Sequence, residues 1–316
     1  MLQQDSNKMG LSSSETNCTH LSLNIARGGH VHTNVVILIV LDVFVTIATI
    51  IANGLFLVIL CKSRRLHVPS NILVGALCWS DLIVGMVAQM FYLMILFLIE
   101  GDEIVSDVLL NSFHILFTLC SGSSCLIVAV ISLDRYTAVS HPYKYRRYAT
   151  CKTHVFIVTI LCLIWLIFTL SHISNSSAFQ NFQYTLFALI FIVILTVIFT
   201  YLSIYLIIRK HRRTVPMLGR IDGNERRELF HVRREKERSY AMLPIIGIFL
   251  LLHLPYLAFS LYFIVWPETV CSDSLLLMYL WDEFFLLLSS LTNPLVYCLQ
   301  RSEFRISALR IFSGSN

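Results

Sequence analysis

Seven long apolar runs decide what this chain can become. They fall at about 35–61, 70–98, 109–138, 154–173, 184–208, 240–265 and 275–299. Each exceeds the roughly 18 residues with which a helix crosses the hydrocarbon of a bilayer. Backbone N–H and C=O groups find no water there, so each run must satisfy its own hydrogen bonds as a helix. With 56% of its 316 residues hydrophobic, 14% charged and a mean hydropathy of +0.73, the chain carries more apolar surface than a water-soluble fold can hide. The expected fold class is an all-α membrane protein: a seven-transmembrane helix bundle, with no nucleic-acid partner.

The placement of Lys and Arg orients the bundle. Twenty-two of the 24 lie after the first, third and fifth runs or in the carboxyl-terminal tail, and eleven of these sit between 209 and 238. Lys8 and Arg27 precede the first run, and the three loops on the opposite side carry none. Basic residues stay on the cytoplasmic side, so the amino terminus is expected outside and the carboxyl terminus inside. Residues 1–34 read as a polar extracellular tail without a cleavable signal peptide. Residues 35–300 form the transmembrane domain, and 301–316 an amphipathic helix and short cytoplasmic tail. In that last stretch Phe304, Ala308, Leu309 and Phe312 recur at helical spacing, as in a helix lying on the membrane face.

Asn17-Cys18-Thr19 and Asn175-Ser176-Ser177 are glycosylation acceptors on the side assigned as outside, making Asn17 and Asn175 candidate sites. Of nine cysteines, only Cys18 and Cys271 face an oxidising space. A disulfide between them would tie the tail to the last outer loop, if their geometry permits it.

The polar residues inside the runs carry the functional signal, because ionisable groups are expensive in hydrocarbon. The third run closes on Ser132-Leu133-Asp134-Arg135-Tyr136. Such a triplet lies at the water boundary or has a task; alone, it also reads as end-charges reaching for water. Asp81 lies deep in the second run, and Asp42 and Asn53 in the first. Pro255 should kink the sixth, two residues after His253. Asp282 and Glu283 sit near the outer end of the seventh, ahead of Asn293-Pro294-Leu295-Val296-Tyr297.

Asn53, Asp81, Asp134-Arg135-Tyr136, Trp165, Phe249, Pro255 and Asn293-Pro294-Leu295-Val296-Tyr297 stand in the order of the landmarks of the rhodopsin-like (class A) G-protein-coupled receptors. The chain resembles that family over about residues 35–312. The resemblance implies an activation switch of Asp134, Arg135, Tyr136, Tyr201, Glu235, Phe249, Pro255, Asn293, Pro294 and Tyr297. Arg135 would pair at rest with Glu235 on the sixth helix, and an outside ligand would favour the state that admits a heterotrimeric G protein. Glu235 also reads as a solvated member of the charge run 233–238. Asn53, Asp81, Ser124 and Asn293 match the polar cluster that holds a sodium ion in many members, and read equally as a hydrogen-bonded network without an ion. No other cofactor is expected.

The chain departs from the family's pattern at four points. Leu110 stands where the third helix usually carries a disulfide cysteine, and 172–183 has no cysteine to pair with it. The fifth helix lacks its usual proline. These features are similar to those of melanocortin, cannabinoid and lysophospholipid receptors. His253 replaces the usual tryptophan, placing a titratable ring at the pocket floor. Phe117 occupies the position of the ligand-pairing aspartate of amine receptors, which disfavours their standard binding mode. No lysine lies in the seventh helix, so a retinal Schiff base is excluded.

A pocket between the outer halves of the helices is expected. Its candidate residues are Asp42, His114, Phe117, Ser121, His253, Tyr256, Asp282 and Glu283, with Tyr262 nearby. Adjacent Asp282 and Glu283 point about 100° apart on a helix, so one of them is expected to face the cavity. Glu100, Asp102, Glu103, Asp107, Glu268 and Asp273 make the outer face acidic. A cationic peptide or amine is the favoured ligand; a lipid-like ligand also suits the apolar lining. Other classes remain open: a transporter, although no internal repeat is visible, or a heptahelical protein that does not signal. His114, Asp81, His172 and His253 lack metal-ligand spacing, which argues against a metallohydrolase and against an enzyme.

Overall fold

The apolar runs fold into seven helices that cross the width of a bilayer. The computed structural model describes residues 29–172, 178–214, 243–266, 272–300 and 302–313. The spans are, in order, Gly29–Lys62, Pro69–Glu100, Asp107–Ser140, Cys151–His172, Ala178–Thr214, Leu243–Val265 and Asp273–Gln300. A short helix, Pro142–Tyr148, follows the third span, and Ser302–Phe312 follows the seventh. Among the described residues there is no strand.

Local chemistry sets the boundaries. Pro69 and Pro142 open their helices, where the missing N–H costs nothing. Ser106 caps the third span by accepting from the Leu109 amide at 3.3 Å. Ser272 does the same for the seventh through the Leu275 amide at 3.4 Å. Asp107 and Asp273 in the first turns complement the positive helix ends. Within the second span, Val84–Ala88 forms one π-helical turn.

The bundle is apolar on its lipid side, with Phe44, Phe156, Ile167 and Phe199 all exposed. Half of the residues in the apolar windows of the second, third and seventh spans are buried, against 17% in the fourth. The fourth is therefore peripheral, and the third runs through the centre. Trp165 joins them: its indole N–H donates to the Thr118 carbonyl at 3.2 Å. Gly122 makes room for that ring, since a Cβ there would come within 2.3 Å of it.

The terminal helix is anchored rather than free. Phe304 is buried and stacks on Phe56 at 4.1 Å, Phe56 meets Tyr297 edge-on at 6.2 Å, and Ser63 donates to Ser307 at 3.1 Å. Leu309 and Ile306 stay exposed, as side chains that reach into lipid would.

Candidate functional site

Polar groups gather at three depths. At the inner mouth, Arg135 is almost fully buried. Its guanidinium donates to Asp134, with Nε at 3.1 Å and a second, shorter bond from NH2. Asp134 also accepts from the Tyr145 hydroxyl at 2.9 Å and lies 2.7 Å from Nε2 of His154. The other His154 nitrogen faces the Thr150 carbonyl at 2.8 Å. Both ring nitrogens face acceptors, so the two bonds form together when the ring carries both protons. The Asp134 carboxylate thus joins the third span, the Pro142–Tyr148 helix and the fourth span. A cleft of about 660 Å³ opens beside it, lined by Leu133, Lys144, Tyr148, Ile157 and Leu161 among others. Tyr136 packs toward Phe199 at 6.5 Å. Sequence reasoning missed Tyr145 and His154, although a histidine at the start of an apolar run is a visible signal.

Mid-bundle, Asp81 is fully buried and each carboxylate oxygen accepts a bond: Oδ1 from Ser124 at 3.1 Å and Oδ2 from Asn293 at 2.8 Å. Ser124 reaches Ser80 as well, at 3.1 Å. Asn53 joins one step away. Pro294 has no N–H to offer the Ser290 carbonyl four residues earlier, and the Asn53 side chain donates to that carbonyl at 3.1 Å. Asn53 Oδ1 is buried and without a partner. Carboxylate, hydroxyl and amide oxygens around one buried charge are the donors a small hard cation takes, so these residues fit sodium. Phe249 packs against His253 with ring centroids 3.9 Å apart, and Tyr201 and Tyr297 are buried. His253 sits over Phe249 with Nδ1 at 2.8 Å from the Phe249 carbonyl and Nε2 at 3.8 Å from Cys125 Sγ. It links the sixth span to the third.

Toward the outer end, aromatic rings form a continuous layer. Phe113 contacts Phe117 at 5.5 Å and Tyr92 at 6.0 Å, and Phe259 lies 6.3 Å from Tyr279. The Tyr279 hydroxyl is 3.3 Å from His114 Nε2, joining the seventh span to the third. Tyr256 is buried beside this layer, and Ser121 is half-buried. Tyr262 packs on Trp266 at 5.4 Å, farther out. Asp282 and Glu283 are both buried, each with one carboxylate oxygen that has no hydrogen-bond partner. The seventh span is flanked by the first and the sixth, so two side chains about 100° apart are each covered. Tyr92 and Tyr256 both lie within electrostatic reach of the pair. Asp42 is fully buried, with Thr46 beside it and Tyr92 within electrostatic reach.

Glu235, Cys18, Cys271, Asn17 and Asn175 lie outside the described residues. The cysteines at 61, 78, 120, 125, 151, 162 and 298 carry free thiols. Among the described residues no three His, Cys, Asp or Glu side chains converge in a way that could hold a metal ion.

A seven-span bundle with a buried arginine–carboxylate pair at one mouth and a polar cluster at mid-depth is the architecture of a membrane receptor. The model of the seven-transmembrane receptor (rhodopsin) family matches residues 52–297, and the chain belongs to that family of G-protein-coupled receptors. It is similar to the dopamine D2-like receptor of Drosophila melanogaster, with 26% identity over 234 residues, 67% of this chain and 25% of that receptor. Over 111 residues it is 35% identical to the 5-hydroxytryptamine receptor 7 of Xenopus laevis, covering 35% of this chain and 26% of that one. Melanocortin receptor 5 of Mus musculus is 23% identical over 314 residues, 93% of each chain. The chain spans about a quarter of the length of the two amine-named relatives it matches.

Proposed function

We propose that this protein is a plasma-membrane receptor that binds a cationic ligand, a basic peptide or an amine, from outside and activates a heterotrimeric G protein inside. The single observation that carries the ligand class is the pair Asp282 and Glu283, each buried with an unpartnered carboxylate oxygen. A buried carboxylate without a counter-charge is costly, and a ligand ammonium or guanidinium supplies one. The acidic, Lys- and Arg-free outer loops support the same reading by drawing cations to the mouth. Three relatives are named for dopamine, 5-hydroxytryptamine and tyramine. Here the aromatic Phe117, packed on Phe113, holds the third-helix position from which a carboxylate meets an amine in that subgroup. The seventh span takes over that role.

On the inner side, Arg135 is the cation that a G protein meets when the sixth helix swings out. Its partners Asp134 and Tyr145 support a resting state in which it is turned inward. Glu235 would complete that resting clasp, with the amino terminus outside and the carboxyl terminus in the cytoplasm. Asp81, Ser124, Asn53 and Asn293 serve as an allosteric sodium site.

A lipid-like ligand is the second reading, favoured by the Phe113, Phe117 and Phe259 layer. Second-messenger output in cells expressing the chain, exposed to basic peptides, amines and lysolipids, tests both. A cationic ligand whose potency falls in Glu283→Gln supports the first. Response to lysolipids alone, indifferent to Glu283→Gln, supports the second.

A further inference from the structure

The cleft of about 660 Å³ beside Asp134 lies apart from the outer pocket, where the third and fourth spans reach the inner mouth. Val130, Leu133 and Thr137 line it from the third span, and Thr153, Ile157 and Leu161 from the fourth. Within each set the residues recur at intervals of about one helical turn, so each set is one helix face. Leu133 and Ile157 are 45% and 38% exposed, so the cleft opens on the lipid side of the bundle. The Pro142–Tyr148 helix closes its inner end with Lys144, Tyr145 and Tyr148.

Its depth and its charge both match a lipid. At about 1.5 Å per residue, the third-span wall runs about 15 Å from Val130 to the helix end at Ser140. That is about half the hydrocarbon thickness of a bilayer, the reach of one leaflet. Tyr143 and Tyr148 are exposed on the closing helix, at the depth where amphipathic rings meet headgroups. The rim is cationic. Lys144 is exposed and lines the cleft with no ion pair among the described residues. Arg147 lies over the Tyr148 ring at 5.6 Å, and Lys152 is exposed in the first turn of the fourth span. Asp134 is the one acid among the described lining residues, and Arg135 and His154 already engage it.

We propose that this cleft holds a phospholipid with an anionic headgroup, drawn from the leaflet at the Arg135 mouth. One acyl chain lies between Leu133 on one wall and Ile157 and Leu161 on the other. The headgroup charge meets Lys144, with Arg147 and Lys152 close by on the rim. Basic side chains at a membrane surface attract anionic lipids in this way. A soluble anion would leave the apolar walls in contact with other lipid, and a sterol brings no charge to the rim. The bound lipid bridges the Pro142–Tyr148 helix and the fourth span, the two elements that Tyr145 and His154 tie to Asp134. The site requires neither the outside ligand nor a G protein, so it is independent of the receptor reading.

The test uses the full chain, without agonist, in phosphatidylcholine nanodiscs that carry a phosphatidylserine with a diazirine on one acyl chain. After illumination the labelled peptides are mapped by mass spectrometry. Labelling of the peptide holding Ile157 and Leu161 is expected to saturate with phosphatidylserine fraction. Unlabelled phosphatidylserine should compete, and further phosphatidylcholine should not. Lys144→Gln should raise the half-saturating fraction about fivefold, as loss of one cation's attraction to a charged headgroup implies. Ile157→Trp, which fills the cleft, should remove the saturable part. Both side chains are exposed, so neither change disturbs the packed bundle. Labelling spread evenly over the lipid-facing spans, or equal labelling by a phosphatidylcholine probe, overturns the site. So does saturation that either variant leaves in place, or that cholesterol displaces and phosphatidylserine does not.

Discussion

The side-chain amide of Asn53 donates to the backbone carbonyl of Ser290, 3.1 Å away and on a different span. The bond exists because Pro294, four residues on, cannot supply the usual helical N–H. Asn53→Ala should leave that carbonyl buried and unsatisfied, at about 1–3 kcal/mol. Pro294→Ala returns the missing donor. The double variant should therefore lose less than the sum of the singles when thermal stability is measured. Additive losses would mean that the two residues act separately.

Trp165 and Gly122 make a second pair with a defined sign. A Cβ on Gly122 would sit 2.3 Å from the indole. Gly122→Ala should displace the ring, strain the Trp165–Thr118 bond and cost about 1–3 kcal/mol. Trp165→Phe in the same chain should recover part of that loss. A Gly122→Ala protein that melts like the parent would mean the ring moves aside freely.

His154 holds the Asp134 carboxylate from the fourth span at 2.7 Å. His154→Ala removes a charge-assisted bond from a buried acid, worth roughly 1.5–3 kcal/mol. The loss of thermal stability should exceed that of Tyr145→Phe, which removes a neutral donor at 2.9 Å. Equal losses would place the weight of the network on Tyr145 instead.

Asp282 and Glu283 should show opposite effects on stability and on function. Each has an unpartnered buried oxygen. Asp282→Asn and Glu283→Gln remove buried charges, and are expected to leave the ligand-free protein as stable as the parent or more so. The same changes should cost a cationic ligand about 2–5 kcal/mol of binding. Thermal melting beside ligand titration reads both. A fall in stability without loss of affinity would make them structural acids.

The spans were legible because an uninterrupted apolar run of that length has one solution in a membrane. Their ends were less so. The first helix begins at Gly29, ahead of the apolar run, and the fifth extends to Thr214, past its apolar part. Polar ends carry no hydropathy signal. Asp81 and Asn293 stood out as polar residues inside apolar runs, and the structure joins them at 2.8 Å. Gln89 carried the same signal and was overlooked. The reach of Tyr145 and His154 to Asp134 was not legible, because it depends on how a short loop helix and a peripheral span dock against the third. The covering of both Asp282 and Glu283 depends likewise on the neighbours of the seventh span.

The central claim is that an outside ligand drives G-protein activation through the buried Arg135. Guanine-nucleotide exchange on a panel of heterotrimeric G proteins, with the reconstituted chain and its Arg135→Ala variant, tests it most directly. The expected result is exchange that rises with a cationic ligand and disappears in Arg135→Ala at matched folded protein. Exchange that persists in Arg135→Ala, or none above that variant with any ligand and any G protein, would contradict it.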